Sequence, residues 1–252
     1  MGSGNLKKYF LILIPVCVLV ISIFFVNERS FADKGRKYYE EAGQILWEIK
    51  TDEKIVALTF DDGPHKKYTP EILDLLEKYN AKATFFVVGE HAEKNPEIVL
   101  KMYEDGHELA IHTYTHPLRT NVPNLMKEIK QTHETLYGIT GFSPTLFRPV
   151  EGQYTDAMIE AIVKEGYKVV MWSWHLDTMD WKSPGADKIV DTVLNGVKEG
   201  SVVLFHDGGG NRQQTIKALE KIIPELEKEG YKFLTISELL EVQKANNKKT
   251  GK

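Results

Sequence analysis

The sequence has little cysteine, since Cys17 is the single one among 252 residues. One cysteine excludes an intrachain disulfide framework and any cysteine-rich zinc site. The sequence also lacks an excess of positive charge, because 32 Lys and Arg stand against 36 Asp and Glu and give a net charge of −4. A general nucleic-acid-binding protein is usually strongly basic, so we expect no nucleic-acid partner. Any bound metal must be held by His, Asp or Glu.

Long apolar runs are scarce too, and the one that stands out lies at residues 9–26, YFLILIPVCVLVISIFFV. Its length is at the lower limit for a membrane anchor. Lys7 and Lys8 precede it, which predicts a cytoplasmic N-terminus at residues 1–8 and an exported remainder. The alternative is a cleaved signal segment, because Ser30-Phe31-Ala32 resembles a small-x-small cleavage site. We therefore expect either a cell-membrane protein with an extracytoplasmic domain or a secreted protein.

The remaining sequence divides into a polar stalk or linker at residues 27–44, in which residues 34–44 could form a helix, a folded domain at 45–243 and a polar tail at 244–252. Within the domain, short strand-like apolar runs alternate with longer helix-like segments. This alternation predicts an α/β fold with a parallel sheet and helices outside it, but leaves open whether the sheet closes into a barrel. The predicted strands are residues 45–50, 55–60, 83–88, 108–111, 145–147, 167–174, 202–205 and 231–234, and the predicted helices are 69–79, 95–104, 122–137, 155–165, 186–198, 213–229 and 237–243.

Charged residues and histidines follow five of the predicted strands. In a parallel α/β fold, the carboxyl ends of the strands meet at one rim, where functional residues gather. Taken singly, each residue has a plain structural explanation: the sequence Asp-Asp-Gly-Pro suits a turn, and a histidine is often a surface or capping residue. The residues at these strand ends are Asp61, Asp62, His112, His116, Arg148, Asp180 and His206.

Together, these residues suggest hydrolytic metal chemistry. His112 and His116 are four positions apart, so on a helical turn they would share a face and chelate one ion. Two histidines and one aspartate form a three-ligand set with an open position, which is typical of hydrolytic zinc sites. A carboxylate, Asp61, and an imidazole, His206, would then supply the base and the acid.

The motifs TFDDGP, HTYTH, RPVEG, DTMDW and LFH resemble those of NodB-type polysaccharide deacetylases, carbohydrate esterase family four, in order and in position on the strands. The resemblance covers about residues 50–242. It implies a deformed (β/α) barrel of about seven parallel strands. It also implies metal-dependent removal of N-acetyl groups from a glycan, as bacterial peptidoglycan and chitooligosaccharide N-deacetylases perform. The expected cofactor is one divalent ion, zinc, with cobalt or another divalent ion as the alternative.

The resemblance also implies roles for individual residues of the metal and base motifs. Asp61 resembles the catalytic base of the family, and Asp62 resembles its metal-binding aspartate. His112 and His116 resemble the two metal-binding histidines. Arg148 resembles the arginine that pairs with the base.

The remaining motifs imply an acid and a substrate pocket. Asp180 resembles the residue that orients and tunes the acid, His206, and Trp181 and Leu204 resemble the apolar walls of the acetyl pocket. The backbone N–H of Glu151 occupies the place of an oxyanion donor. At this motif the family often has Arg-Pro-Pro-Tyr-Gly, whereas this sequence has Arg-Pro-Val-Glu-Gly. The change affects substrate contacts at the rim, and the extra carboxylate would also suit a partly cationic glycan.

Three functions are compatible with these residues. The first is N-deacetylation of a cell-wall glycan, peptidoglycan or chitin-like oligomers, which releases acetate and leaves a free amine. The second is an O-acetyl esterase that acts on a polysaccharide with the same residues, and the third is a non-catalytic, metal-containing glycan-binding domain. The expected partners are the glycan substrate and, through the N-terminal segment, a membrane, and we expect a monomer.

Overall fold

The structure, a computed structural model, describes residues 34–250. The predicted membrane anchor or signal segment at residues 9–26 lies outside this range. Within it, no helix combines the length and the apolar character needed to cross a bilayer.

Eight strands form one sheet in which every pair is parallel, which confirms the predicted α/β class. Seven of them lie in the order β1-β6-β5-β4-β3-β2-β7, and β8 pairs with β2. The strands are β1 (Ile45–Leu46), β2 (Ile55–Asp61), β3 (Ala83–Val87), β4 (Glu108–Ile111), β5 (Leu146–Phe147), β6 (Lys168–Val170), β7 (Ser201–His206) and β8 (Lys232–Phe233).

The two ends of this strand order, β1 and β7, approach each other without forming a ladder. Single hydrogen bonds cross the gap: the Ile49 N–H donates to the Gly200 carbonyl at 3.0 Å, and the Ser173 N–H donates to the Val202 carbonyl at 3.0 Å. The sheet is therefore an incompletely closed, half-barrel arrangement. Residues 167–174 were expected to form one strand, but β6 ends at Val170 because the chain beyond it turns to bond with β7.

Nine helices accompany the sheet within residues 34–250. They are α1 (Arg36–Glu41), α2 (Tyr68–Lys78), α3 (Gly89–Lys94), α4 (Pro96–Glu104), α5 (Val122–Thr140), α6 (Asp156–Lys164), α7 (Ala186–Gly196), α8 (Gln213–Lys228) and α9 (Ile236–Thr250). Helix α3 was not predicted. It starts at a glycine after an extended valine that gives no side-chain cap, so the usual start signal is missing.

Strand β2 shows why the strand sequences are mostly apolar. All seven of its residues are buried, and its apolar side chains alternate between two apolar clusters. Leu58 and Phe60 belong to the larger cluster, whereas Ala57 belongs to the second cluster, which also includes Ile236 of α9. Phe60 also stacks between the rings of Phe85 and Phe205, at centroid distances of 5.1 and 5.6 Å. This packing holds the end of β2 firmly in place.

Helices also form outside residues 45–243, and the first of them lies where the sequence suggests a helix in the stalk. Part of the predicted stalk folds as α1, where Tyr39 is buried and its hydroxyl donates to Asp156 Oδ1 at 2.5 Å. At the other end, α9 continues to Thr250 and so includes most of the predicted polar tail.

Candidate active site

The carboxyl ends of the strands surround a cavity of about 510 Å³. Its lining includes side chains that follow β2, β4 and β7, which lie apart in the sequence but meet because the sheet is parallel. Of the residues predicted for the site, Asp61, Asp62, His112, His116, Glu151, Trp181, Leu204 and His206 line the cavity. Arg148 and Asp180 lie behind it and are fully buried.

Asp62, His112 and His116 form a possible metal site, with their ligand atoms all within 4.8 Å of one another. Asp62 Oδ1 lies 3.1 Å from His116 Nε2 and 3.5 Å from His112 Nε2. The predicted reason for this convergence was wrong, because residues 112–116 are not helical. They form a loop in which Thr113 and His116 have φ values of 65° and 56°, and this loop brings the two rings to a centroid distance of 5.2 Å.

The hydrogen bonds around this cluster fit a divalent cation. His112 Nδ1–H donates to the Arg148 carbonyl at 2.8 Å, which leaves Nε2 as the ligand atom. Asp62 Oδ1 is buried and has no hydrogen-bond partner among residues 34–250, although a buried carboxylate oxygen normally has one. In a tetrahedral zinc site, neighbouring N and O ligands are about 3.4 Å apart, close to the separations seen here.

Local charges and burial favour the metal-binding protonation states of Asp62 and His112, whereas the neighbouring Asp62 raises the pKa of His116. Burial alone would raise the pKa of Asp62, but the close imidazole of His116, with Nε2 3.1 Å from Oδ1, and the charge of His112 lower it well below its usual range. Burial lowers the pKa of His112, so its neutral form is favoured. A carboxylate and a neutral imidazole are the forms that coordinate metal.

Asp61 is held by a buried arginine. Arg148 Nη1–H donates to Asp61 Oδ1 at 2.7 Å and to Thr59 Oγ1 at 2.9 Å. The guanidinium also donates to the carbonyls of Val170, at 3.1 Å, and Met171, at 2.8 Å. These bonds fix the guanidinium, which in turn occupies one oxygen of Asp61 and leaves Oδ2 as the oxygen free to act at the cavity.

His206 and Asp180 form the second charged pair at the cavity. His206 Nδ1–H donates to Asp180 Oδ1 at 2.6 Å, while the His206 N–H and the Thr215 hydroxyl donate to Oδ2 at 2.9 and 2.8 Å. Burial alone would lower the pKa of His206, but Asp180, followed by Asp61 and Asp62, raises it to about 9. The imidazole is thereby held protonated, with Nε2 as its free nitrogen.

The rim combines apolar and acidic side chains. Trp181 is 50% exposed, whereas Leu204 is 4% exposed and forms part of the cavity wall. Glu151 follows β5 in a short 3-10 turn, with a φ of 53° that an ordinary side chain seldom adopts. Its Oε2 accepts a hydrogen bond from Gln153 Nε2 at 2.7 Å, so the carboxylate is fixed at the cavity.

Sequence reasoning missed residues that support the site. Asp207 is fully buried, accepts a 2.5 Å hydrogen bond from the Thr69 hydroxyl, and has a pKa raised by burial to about 7. Its N–H donates to the Asp61 carbonyl at 3.1 Å. A side chain at Gly63 would lie 2.0 Å from Asp207 Oδ2, which explains why a glycine follows Asp62. The position of Asp207 directly after His206 was a signal that could have found it.

Nothing in the sequence marks Arg212 and Thr215 as residues of the site. Arg212 lines the cavity and donates to the Gly208 carbonyl at 2.6 Å. It precedes α8, and Thr215 lies in the first turn of that helix, at positions that carry no motif. Their roles depend on how α8 packs against the strand ends, which local sequence does not specify.

Comparison with known proteins identifies several deacetylases that are similar to this chain. The profile of the family described as Polysaccharide deacetylase matches residues 48–170. A Bacillus cereus peptidoglycan-N-acetylglucosamine deacetylase is 45% identical over 210 residues, which cover 81% of this chain and 97% of that protein. The Bacillus subtilis peptidoglycan-N-acetylmuramic acid deacetylase PdaC is 36% identical and matches 80% of this chain but 42% of its own length. A crystal structure of a peptidoglycan N-acetylglucosamine deacetylase matches with a TM-score of 0.78 at 37% identity, covering 82% of this chain and 97% of that one.

Proposed function

Since this chain belongs to the polysaccharide deacetylase family, we propose that it is a metal-dependent hydrolase that removes acetyl groups from N-acetylated peptidoglycan. Its relatives are named peptidoglycan N-deacetylases, and the chain is a polysaccharide N-deacetylase by class. The products of the proposed reaction are acetate and a glycan that carries a free amine.

The proposed target is the N-acetylglucosamine of peptidoglycan. The B. cereus relative that carries this substrate in its name is 45% identical, and this chain covers 97% of it. The relative named for N-acetylmuramic acid is 36% identical and is matched over 42% of its length. The higher sequence identity to the first relative supports N-acetylglucosamine over N-acetylmuramic acid as the substrate sugar.

Asp62, His112 and His116 are the proposed metal ligands, and zinc is the proposed ion. When bound there, a divalent ion supplies polarisation of the amide carbonyl and acidification of a water molecule. The chain's own part in this step is to fix the ligand geometry, which His112 does through its bond to the Arg148 carbonyl.

The two charged pairs supply the proposed proton transfers. Asp61 takes a proton from the attacking water through Oδ2, while Arg148 holds the other oxygen. The backbone N–H of Glu151 is the proposed donor to the developing oxyanion. His206 gives a proton from Nε2 to the leaving nitrogen, so that the C–N bond breaks with a neutral amine as the leaving group.

One observation carries this proposal: a possible metal cluster, a buried base with its arginine and a protonated imidazole with its aspartate share one cavity. A glycan-binding domain needs a cavity, with or without a metal, but it does not need a paired base and acid. An O-acetyl esterase would use the same groups, so the substrate has to be tested directly.

We also propose that the domain acts outside the cytoplasm, where peptidoglycan lies. The apolar run at residues 9–26 would either anchor it to the membrane or direct its secretion.

The test is mass spectrometry of peptidoglycan and of chitooligosaccharides after incubation with the zinc-loaded protein, with Asp61→Asn as the matched control. We expect a loss of acetyl mass, stoichiometric acetate and new free amines with the wild type alone. Release of acetate from O-acetylated but not from N-acetylated glycan would identify an esterase instead. Binding to glycan without any acetate release would identify a non-catalytic domain.

A further inference from the structure

A second cavity adjoins the catalytic one and is larger, at about 710 Å³. We call it the side groove. Pro149, Gly152 and Gln153 line both cavities, so the two are separated only by the turn that follows β5. A substrate whose acetyl group occupies the catalytic cavity can therefore extend into the side groove without leaving the protein surface.

The side groove differs from the catalytic cavity in its chemistry. Its walls are largely apolar, with Leu125, Val150 and Met158 among them, and Leu118 stands at its edge with 61% of its surface exposed. Such an exposed leucine in a concave apolar surface is typical of a binding site.

Arg119 is the one charged side chain that lines the side groove. It is exposed, and it makes no ion pair with any residue of the described range. The catalytic cavity, by contrast, is lined by Asp61, Asp62, Glu151 and Asp177 together with the cationic Arg212 and His206. Arg119 therefore gives the side groove a positive charge that no acidic residue of its lining offsets.

From these features we propose that the side groove binds the peptide stem that peptidoglycan carries on the sugar next to the one being deacetylated. This inference rests on the proposed function. A stem peptide has carboxylates, which suit Arg119, and small alanyl methyl groups, which suit the apolar walls. A chitin-like strand is uncharged and offers Arg119 no anionic partner.

The expected preference is moderate. Arg119 is exposed, and exposed ion pairs contribute little because water and salt screen them. A guanidinium that donates two hydrogen bonds to one carboxylate contributes more binding free energy than a single exposed contact does. We therefore expect kcat/KM to be about threefold to tenfold higher for a substrate with stems than for one without them.

The test uses the full chain loaded with zinc and two peptidoglycan fragments of equal glycan length. One fragment retains its stem peptides. An amidase has removed them from the other, and the lactyl carboxylate that this frees is then converted to a primary amide, so that this fragment carries no anion. The ratio of kcat/KM for the two fragments is measured in wild type, in Arg119→Gln and in Arg119→Lys. Lys217→Gln removes an exposed positive charge from α8 and serves as the control.

We expect the wild type and Lys217→Gln to favour the fragment with stems, Arg119→Gln to bring the ratio close to one, and Arg119→Lys to fall between them. The wild-type ratio should also decline as salt concentration rises. A wild-type ratio near one, or an unchanged ratio in Arg119→Gln, would overturn the assignment while leaving the deacetylase proposal intact. Failure of the wild type to release acetate from either fragment would instead refute the proposed function itself.

Discussion

Two histidine–carboxylate clusters lie at the same cavity and differ in how their carboxylates are satisfied. In the open cluster of Asp62, His112 and His116, Asp62 Oδ1 is buried without a hydrogen-bond partner in the described chain. In the closed pair of Asp180 and His206, both carboxylate oxygens accept hydrogen bonds from protein donors.

This difference explains how one pair of residue types can serve two tasks. An unsatisfied buried carboxylate is costly alone and gains most from a cation, so the open cluster suits a metal. When both carboxylate oxygens already accept hydrogen bonds, the carboxylate is fixed in position and orients the imidazole beside it. The closed pair therefore suits a fixed, protonated imidazole. The predictions below test this contrast from the largest expected effect to the smallest.

Removing a ligand from the open cluster should have the largest effect. His112→Ala should abolish metal binding and reduce deacetylation to background, because the two ligands that remain cannot hold the ion well. Metal content by mass spectrometry and acetate release are the measurements. His175→Ala, which removes an exposed histidine elsewhere, is the control and should retain both. Full metal occupancy in His112→Ala would remove His112 from the ligand set.

Asp61 lies between the two clusters and should affect turnover without affecting the metal. Asp61→Asn retains a hydrogen-bonding oxygen for Arg148 but cannot accept a proton, so we expect kcat to fall by about 10²-fold to 10⁴-fold. Metal content should match that of the wild type. Loss of the metal in this variant would mean that Asp61 belongs to the open cluster.

The closed pair should control the alkaline limb of the pH profile. The pKa of His206 is raised from 6.5 to about 9, so its proton is present below that pH and is lost as pH rises through it. Asp180→Asn removes the largest favourable contribution to this shift, and the alkaline limb of kcat/KM should move toward 6.5. The pH profile measures this directly. An unmoved limb would mean that His206 is not the acid that the profile reports.

Substitution of Thr215 should have the smallest effect on the pH profile. Thr215→Val removes one donor to Asp180 Oδ2, which leaves more negative charge on the carboxylate. We expect the alkaline limb to move slightly upward, opposite to Asp180→Asn, and the free energy of unfolding to fall by about 1–2 kcal/mol. The pH profile and chemical denaturation are the measurements, and Thr192→Val, in an exposed turn of α7, is the control. A downward shift would show that Thr215 acts mainly by positioning Asp180.

Most of the fold could be predicted from the sequence because its strands are buried on both faces. Five of the seven residues of strand β2 are apolar, and such short apolar segments stand out between helical segments. The end of β6 was misplaced because the apolar residues after Val170 continue the pattern while the backbone leaves the ladder to bond with β7. A pattern of side chains does not reveal which strand the backbone will meet.

The site was predictable where its residues end strands and carry motifs. His112 and His116 do lie close together, but a loop with positive φ at Thr113, and not the predicted helical turn, joins them. Thr215 and Arg212 were missed because their contacts are made across the fold. Hydrogen-bond saturation, which separates the open cluster from the closed pair, is likewise a property of three-dimensional packing.

The contrast between the two clusters is tested most directly by metal content in a matched pair of variants, Asp62→Asn and Asp180→Asn. Each replaces one carboxylate by an amide of nearly the same size beside a histidine. The account predicts one divalent ion per chain in the wild type and in Asp180→Asn, and little or none in Asp62→Asn. Retention of the ion by Asp62→Asn together with its loss from Asp180→Asn would contradict the assignment of the metal to the open cluster.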